Sequence, residues 1–203
     1  MIGSLREDTV LEPAGRAGSH DDFTVRKAAM HDIGPILSLI NGYAAKGIML
    51  PRTELEVSED IRDFSVVWMA GRLVGCGALH FYSPSIAEIR SLAVAEDAKT
   101  HGIGRRLIEA LVREASDYAL DAVFAFTYVV GFFGKMGFQE VERGELPLKA
   151  WKDCVRCPKF QCCDEIAVLR VLRSDYCRNI QQHRRDEDPH LVQLPVLRQL
   201  DRR

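Results

Sequence analysis

The sharpest chemical signal in the sequence is a short glycine-bearing segment, KTHGIGRRL (99–107). Gly102 and Gly104 remove side chains at points where a backbone would have to approach a ligand closely. A helix that begins here directs unpaired N–H groups and the positive end of its dipole at whatever lies above the loop. A pyrophosphate suits that position, and Arg105 and Arg106 add positive charge. Short glycine motifs also arise by chance, so a strand-to-helix turn without a ligand is the alternative for the loop alone.

A group of cysteines forms the second pattern, C-x2-C-x4-C-C. The spacing of the first pair is typical of zinc ligands, and Cys154, Cys157 and Cys162 would fill most of a tetrahedral site. The adjacent Cys162 and Cys163 do not both ligate easily, so reduced structural thiols are the alternative, and an iron–sulfur cluster fits the spacing less well. If zinc binds, we expect it to hold the loop 152–165 in place.

The elements that position these residues alternate between strand and helix patterns. Apolar runs of strand type predict strands at 23–28, 66–70, 73–82, 88–94, 123–127, 138–142 and 165–172. Apolar residues at helical spacing predict helices around 33–40, 57–64, 103–115 and 132–136. Asp32 is the predicted N-cap of the first helix, and the second stripe runs through Phe64. The order β–α–α–β–β–β–α–β–α–β–β predicts an α/β fold with a mixed sheet.

Length and composition limit the class of protein. The 203 residues predict one well-buried domain over 23–173, after a flexible leader (1–22) and before a flexible or partner-dependent tail (174–203). The net charge of -2 gives no basis for nucleic-acid binding, and no apolar run approaches the ~20 residues that span a bilayer. The charged N-terminus lacks the pattern of a signal peptide. We therefore expect a cytoplasmic protein, with no membrane partner, whose six cysteines stay reduced.

Together with its neighbours, the glycine loop resembles the acetyl-CoA loop of the GCN5-related N-acetyltransferase (GNAT) family. The family pattern is Gln or Arg, any two residues, Gly, any residue, then Gly or Ala; here Lys99 takes the first position and keeps the charge. FFGKMGF (132–138) is similar to the family's second motif, which packs near the thioester. The resemblance covers 24–172 and implies a mixed, mostly antiparallel central sheet with flanking helices. It also implies acetyl-CoA as co-substrate, bound by Leu92, Ala93, Val94, Lys99, Thr100, His101, Gly102, Ile103, Gly104 and Arg105.

The resemblance is incomplete at the group that would protonate the leaving thiolate. Many family members carry a tyrosine four residues before the glycine that ends the second motif, whereas this sequence has Phe133 there. Tyr128 lies close in the sequence and is the candidate catalytic acid. The alternative is that the thiolate leaves without a dedicated acid.

Within the family, the chain is most similar to the acetyltransferase domain of the N-acetylglutamate synthases, and above all to their short, stand-alone versions. The matching segments are KGIMLPR (46–52), GCGALHF (75–81), EIRSLAV (88–94), FTYVVGFFGKMGF (126–138) and LPLKAWKDC (146–154). The resemblance implies acetyl transfer to the α-amine of L-glutamate or L-glutamine, the first step of arginine biosynthesis. Longer versions sense arginine through an amino-acid-kinase domain, and we expect no such feedback here. A homodimer paired through the last strands is a further implication.

An ammonium substrate must lose a proton before its nitrogen can attack a thioester. Glu88 is the candidate base, because it lies on the strand that leads to the cofactor contacts. Arg90, two residues further on, projects from the same face of that strand. An exposed carboxylate at a strand edge, paired with Arg90, is the alternative interpretation of Glu88. A backbone N–H near Val94 is expected to polarise the thioester carbonyl.

An anionic acceptor calls for guanidinium groups, which match the geometry of carboxylates. Arg26, Arg52 and Arg90 are the candidates for substrate binding, and Arg52 is favoured because it belongs to KGIMLPR (46–52). Cys76 matches a cysteine on the substrate side of the family's site, although a small core residue would give the same pattern. A ping-pong route through Cys76, assisted by His80, is less favoured than direct transfer.

Other readings remain open for the acceptor. Longer synthases have an arginine, which helps to hold the side-chain carboxylate of the substrate, where this chain has Tyr128. This departure leaves room for glutamine or a related amino acid. Another small amine or a protein N-terminus would keep the fold and change the acceptor. A non-catalytic acyl-CoA-binding module would bind acetyl-CoA without turnover and would not respond to a change at Glu88.

Overall fold

The computed structural model describes residues 23–146, Cys157, Lys159 and 162–173. The predicted leader (1–22), the predicted tail (174–203) and most of the loop 152–165 lie outside these residues. The described strands are β1 (Val25–Lys27), β2 (Phe64–Met69), β3 (Arg72–Phe81), β4 (Ile86–Val94), β5 (Ala122–Thr127), β6 (Gln139–Glu140) and β7 (Ile166–Val171). The described α-helices are α1 (Ile33–Ala44), α2 (Glu54–Glu59), α3 (Ile103–Asp117) and α4 (Val130–Gly134).

The strands form one sheet in the order β1-β2-β3-β4-β5-β7-β6. Within the described residues β4 and β5 are the one parallel pair, and the other neighbours run antiparallel. The helix α3 follows β4 and connects it to β5, as a crossover between parallel neighbours requires. The expectation of a mixed, mostly antiparallel sheet with flanking helices is confirmed.

Helices cover both faces of the sheet. The longest of the described helices, α3, packs on β2, β3 and β4 through the stripe that the sequence predicts: Ile103, Leu107, Ile108, Leu111, Val112 and Ala115. On the opposite face, which we call the α1–α2 face, Ile36, Ile40 and Val57 pack against Cys76 and Ala78 of β3. Among the described residues, no helix has the length and apolar character that crossing a bilayer requires.

The structure corrects the expected boundaries at two elements. Phe64 opens β2 instead of ending the second helix, because a 3-10 turn at Ile61–Asp63 intervenes after α2. The predicted strand 138–142 is reduced to Gln139–Glu140. Both errors arise near the end of an element, where the apolar residues fit the helical period and the strand period equally well.

The prediction that the side chain of Asp32 caps the first helix is also wrong. Asp32 precedes α1, but its side chain makes no capping hydrogen bond to that helix. Its carboxylate instead accepts hydrogen bonds from Arg26, the backbone N–H of Ala29 and the indole of Trp68. The carboxylate therefore joins β1, β2 and the start of α1.

Alanine substitutions at two separate glycines test the contact between α3 and the sheet. A Cβ on Gly75 of β3 would lie 2.7 Å from Ile103 Cγ2, whereas a Cβ on Gly34 of α1 would meet nothing within 4 Å. We expect Gly75→Ala to destabilise the fold by about 1–3 kcal/mol through overpacking. Gly34→Ala, the matched control, should be neutral or stabilise by up to ~1 kcal/mol, because alanine favours a helix. Urea unfolding of both variants checks this, and equal stabilities would contradict it.

Candidate active site

The site begins where the parallel strands β4 and β5 separate. The two strands pair at Ile86↔Ala122, Ala87↔Val123 and Glu88↔Phe124. Both strands are described over their full lengths, and beyond Glu88 they form no further pair. Strands that diverge leave backbone groups available to a ligand that enters between them. The result is a wedge-shaped opening with Glu88 and Phe124 at its apex.

A bulge bends β4 just beyond this apex. Cys76 pairs with Ala93 and Ala78 with Arg90, so that Ser91 and Leu92 together oppose one residue of β3. Ser91 has a φ of 53°, a left-handed value that is uncommon for serine. Such bulges redirect a strand, often beside an active site. The sequence carries no signal for this bulge, because it contains no glycine at that point.

The predicted cofactor strand, Leu92 to Val94, lies beyond the bulge. Its last carbonyl, that of Val94, accepts a hydrogen bond of 2.5 Å from Tyr43 Oη of α1. Burial raises the pKa of Tyr43, so this phenol keeps its proton and remains a donor at neutral pH. Tyr43 was not predicted as part of the site, and its contact fixes the strand edge that faces the opening.

The glycine loop has the expected shape. A 3-10 turn over Glu96–His101 leads to Gly102, which has a φ of 70° at the start of α3. Glycine adopts this left-handed conformation without strain. A Cβ on Gly104 would lie 3.2 Å from the ring of Phe132, so this glycine also permits close packing of α4. A helix therefore starts at the predicted loop, and anion binding by its first N–H groups stays a prediction.

The side chains of the loop contribute less than the sequence indicates. Ile103 is fully buried in the core, so only its backbone is placed to bind a ligand. Lys99 donates to Glu96 at 2.9 Å, which raises the pKa of Lys99, and Arg105 pairs with Glu109 at 2.7 Å. Thr100 and His101 are exposed. The cations Lys99 and Arg105 are thus paired with carboxylates, and the terminus of α3 is a further positive group at this loop.

Glu88 is buried on the α1–α2 face, with 8% of its surface exposed. This contradicts the alternative interpretation of Glu88 as an exposed carboxylate at a strand edge. Its Oε2 accepts a hydrogen bond of 2.9 Å from Tyr82 Oη. In the sheet register it lies opposite His80 of β3 and Phe124 of β5. Glu88 is thus a shielded carboxylate at the apex of the opening, where a general base is expected.

Arg90 and His80 form a charged cluster with two aspartates that follow α2. Arg90 Nη2 lies 2.7 Å from Asp60 Oδ2 and 3.1 Å from His80 Nδ1. His80 Nδ1 also lies 2.7 Å from Asp63 Oδ2. Within the described residues, Asp60, Asp63 and His80 are the one group close enough to share a metal ion, but the guanidinium of Arg90 already supplies positive charge there. The cluster holds a cation on the same strand face as Glu88.

Arg52 lies on the segment that leads into α2. Its backbone N–H donates to Asn41 Oδ1 at 2.9 Å, and Asn41 Nδ2 donates to its carbonyl at 3.0 Å. The next residue, Thr53, caps α2 in a reciprocal box with Glu56. These contacts fix the backbone of Arg52 between α1 and α2, on the α1–α2 face.

Arg26 has a different environment from the one predicted for a substrate-binding residue. Its guanidinium forms two hydrogen bonds, of 2.7 and 2.9 Å, with the carboxylate of Asp32. Asp32 is fully buried, whereas the Arg26 side chain is 42% exposed on the edge strand β1. The structure gives Arg26 the role of a partner for this buried carboxylate.

Cys76 is a core residue in the structure. Its side chain is fully buried, and its thiol contacts the carbonyl of Ser91 at 3.6 Å. Burial raises the pKa of Cys76 to about 12, so the reactive thiolate is not available at neutral pH. His80, the partner that a ping-pong route would need, is engaged by Asp63. The arrangement favours direct transfer.

Phe133 and Tyr128 have different surroundings. Phe133 is 3% exposed and packs edge-on between the rings of Phe132 and Phe138. Tyr128 follows β5, donates to Asp164 at 2.9 Å and accepts from Lys159 Nζ at 3.1 Å. Burial is the largest of the effects that raise the pKa of Tyr128, so its phenol keeps a proton at neutral pH. Tyr128 stays a prediction for the catalytic acid.

The cysteine cluster is described only in part. Cys154 lies outside the described residues, and Cys157, Cys162 and Cys163 are free cysteines. The described cysteines do not form a group of ligands close enough to share a metal ion. The described part of the chain gives the zinc prediction no support. The loop is instead joined to Tyr128 by Lys159 and Asp164, whose side chains lie 3.3 Å apart.

The comparisons with known proteins agree with this fold. Residues 43–138 match the sequence profile of the acetyltransferase (GNAT) family. An uncharacterised N-acetyltransferase of Chlorobaculum tepidum is 44% identical over 151 residues, which cover 74% of this chain and 97% of that protein. The chain belongs to the GNAT family and is an acetyl-CoA-dependent N-acetyltransferase.

The names of two other similar proteins refer to amino acids or to an acetylated amino acid. An amino-acid acetyltransferase of Mycobacterium tuberculosis is 36% identical over 124 residues, covering 58% of this chain and 69% of that protein. The N-acetylglutamate synthase of Neisseria gonorrhoeae, solved with coenzyme A and N-acetyl-glutamate, is 28% identical with a TM-score of 0.69. The superposition covers 76% of this chain and 36% of the synthase chain, so this chain spans little more than a third of that protein.

Proposed function

We propose that this acetyltransferase transfers the acetyl group of acetyl-CoA to the α-amine of L-glutamate or L-glutamine, the first step of arginine biosynthesis. The observation that carries the proposal is the placement of Glu88 and Arg90 on one face of β4, at the point where β4 and β5 separate. One side chain is a base for an ammonium group, and the other is a cation for a carboxylate. The names of the M. tuberculosis and N. gonorrhoeae relatives support an amino-acid acceptor.

In the proposed reaction, Glu88 takes a proton from the substrate ammonium, directly or through water. The freed nitrogen attacks the thioester carbonyl, the new bond from carbon to nitrogen forms as the bond from carbon to sulfur breaks, and the nitrogen releases its second proton to water. A backbone N–H near Val94 stabilises the charge on the carbonyl oxygen, and the start of α3 holds the pyrophosphate. Coenzyme A leaves as a thiolate, and Tyr128 is the candidate that protonates it. The buried, protonated thiol of Cys76 supports direct transfer over an acetyl-cysteine intermediate.

A substitution at Arg52 tests how the carboxylates are bound. We expect Arg52→Ala to raise the KM for the amino acid by about 10- to 100-fold, because a charge-assisted contact is worth about 1.5–3 kcal/mol. The KM for acetyl-CoA should stay unchanged. Steady-state kinetics with each substrate varied in turn measure both values. Arg113→Ala, an exposed arginine of α3, is the matched control, and an equal rise in both variants would contradict the proposed contact.

The acceptor is tested by thiol release from acetyl-CoA with L-glutamate, L-glutamine and a panel of small amines and peptide N-termini. We expect the highest kcat/KM with glutamate or glutamine, and amide formation confirmed by mass spectrometry. A higher kcat/KM with a peptide or with an amine that has no carboxylate would overturn the proposed substrate. Arg90→Gln should lower kcat/KM for glutamate and glutamine more than for amines that lack a carboxylate, since only the amino acids offer Arg90 a carboxylate.

A further inference from the structure

We propose that Tyr82 is a positioning residue for Glu88, which it holds by a hydrogen bond in the orientation needed to accept a proton. The inference rests on the proposed role of Glu88 as the base. Tyr82 lies outside β3 and β4 and was not a candidate from the sequence. Its hydroxyl donates a hydrogen bond of 2.9 Å to Glu88 Oε2.

The β3–β4 turn places Tyr82 over the base. The N–H of Tyr82 donates to the carbonyl of Ile86 at 3.1 Å, which closes the turn just past the end of β3. Tyr82 is two residues beyond His80, and Ile86 is two residues before Glu88, so all of them project from the same face of the sheet. The phenol therefore reaches along this face to the carboxylate.

The ring of Tyr82 is held on two sides by the cross-strand neighbours of Glu88. His80, opposite Glu88 on β3, meets the ring edge-on, with centroids 5.1 Å apart. Phe124, opposite Glu88 on β5, lies with its centroid 5.7 Å away and its plane tilted by 38°. Contacts of this kind fix the plane of a ring as well as its distance. The phenol is thus preorganised by the same residues that flank the base.

His80, which packs against the ring of Tyr82, is itself held in place by two other side chains. Its Nδ1 lies 2.7 Å from Asp63 and 3.1 Å from the guanidinium of Arg90. Arg90 in turn is paired with Asp60. The orientation of Glu88 therefore depends on residues from β3, β4, β5 and the end of α2.

Positioning of Glu88 by Tyr82 matters because proton transfer depends on the orientation of the carboxylate. A carboxylate that rotates freely presents its oxygens to the ammonium group for only part of the time, and misplaced catalytic groups lose rate steeply. A phenol that donates to Oε2 favours one rotamer of Glu88 and directs the carboxylate toward the opening. Phenylalanine in place of Tyr82 keeps the ring and removes the hydroxyl that donates to Glu88.

The test is a double-mutant cycle of Tyr82→Phe and Glu88→Gln, measured with the amine that the protein acetylates fastest. We expect Tyr82→Phe to lower kcat by about 10-fold or more, with an unchanged KM for acetyl-CoA and an unchanged melting temperature. In the Glu88→Gln background the same change should have no further effect, because the side chain that Tyr82 positions can no longer take up a proton. Tyr118→Phe, at an exposed tyrosine, is the control and should keep full activity.

Three outcomes overturn the inference, each for a different reason. An unchanged kcat in Tyr82→Phe removes the positioning role while leaving Glu88 as the base. Equal losses in both backgrounds show that Tyr82 acts independently of Glu88. Full activity in Glu88→Gln removes the base itself. An acceptor other than glutamate or glutamine refutes the proposed substrate only, because the cycle is still measured with that amine.

Discussion

Replacement of Glu88 by glutamine is expected to lower kcat by about 10²- to 10⁴-fold, the usual contribution of a general base. Glutamine keeps the size of the side chain and can still accept from Tyr82, but it cannot take up a proton at neutral pH. The KM for acetyl-CoA should change little, because the proposed contacts of that substrate, the glycine loop and the strand beyond the bulge, lie elsewhere. Steady-state kinetics and calorimetric titration with coenzyme A measure the two effects separately.

The pH dependence of the Glu88→Gln variant gives a second readout. An amine substrate loses its proton to water as the pH rises, so the variant should recover part of its activity at high pH. Glu140→Gln, at an exposed glutamate of β6, is the matched control and should behave as the parent at every pH. A variant with normal turnover at neutral pH would show that another group removes the proton.

Much of the fold follows from the periodicity of the sequence. The stripe of α3 and the apolar runs of β4 and β5 each fit one period well, and their order leaves few ways to form the sheet. The glycine loop is predictable for a related reason. Gly102 has a left-handed backbone at the start of a long helix, and both features leave a direct trace in the sequence.

The rest of the site depends on contacts between residues far apart in the chain. The bulge at Ser91 leaves no trace in residue type, although it redirects the end of β4. Asp60 and Asp63 look like polar residues at a helix end, and they reach Arg90 and His80 only after the sheet has formed. The contact of Tyr82 likewise depends on the folded sheet: its hydroxyl reaches Glu88 because the β3–β4 turn folds back over the strand. Residue spacing predicts which groups share a face, but it does not predict which of them bond.

Asp32 shows the opposite case, in which a local rule predicts a role and a tertiary contact replaces it. Its position before α1 is typical of an N-cap, yet its carboxylate is fully buried and bound by Arg26, Trp68 and the N–H of Ala29. A cap bonds its own helix, whereas this carboxylate bonds β1, β2 and the turn before α1. We infer that its main contribution is to the stability of this corner of the sheet.

The Asp32→Ala variant is expected to lose about 3 kcal/mol of unfolding free energy, because two partly buried N–H donors and a guanidinium lose their buried acceptor. A loss of this size corresponds to a fall of roughly 6–12 °C in the melting temperature. Asp97→Ala is the matched control: Asp97 and Arg72 lie 2.6 Å apart, but both are more than half exposed. Exposed pairs contribute about 0–1 kcal/mol, so the control should change little.

The pH dependence of the unfolding free energy lost in Asp32→Ala tests whether the charged carboxylate causes that loss. Burial alone would raise the pKa of Asp32, but the hydrogen bonds from Arg26, Ala29 and Trp68 outweigh it and lower the pKa to about 2. Because the folded state holds the proton more weakly than the unfolded chain, Asp32 contributes stability above about pH 4 and loses it as the pH falls toward 2. The difference between the parent and Asp32→Ala in urea unfolding should therefore be constant from pH 7 to about pH 5 and shrink below about pH 4. A difference that persists unchanged at about pH 2 would mean that lost packing, rather than the charged hydrogen-bond network, explains the effect.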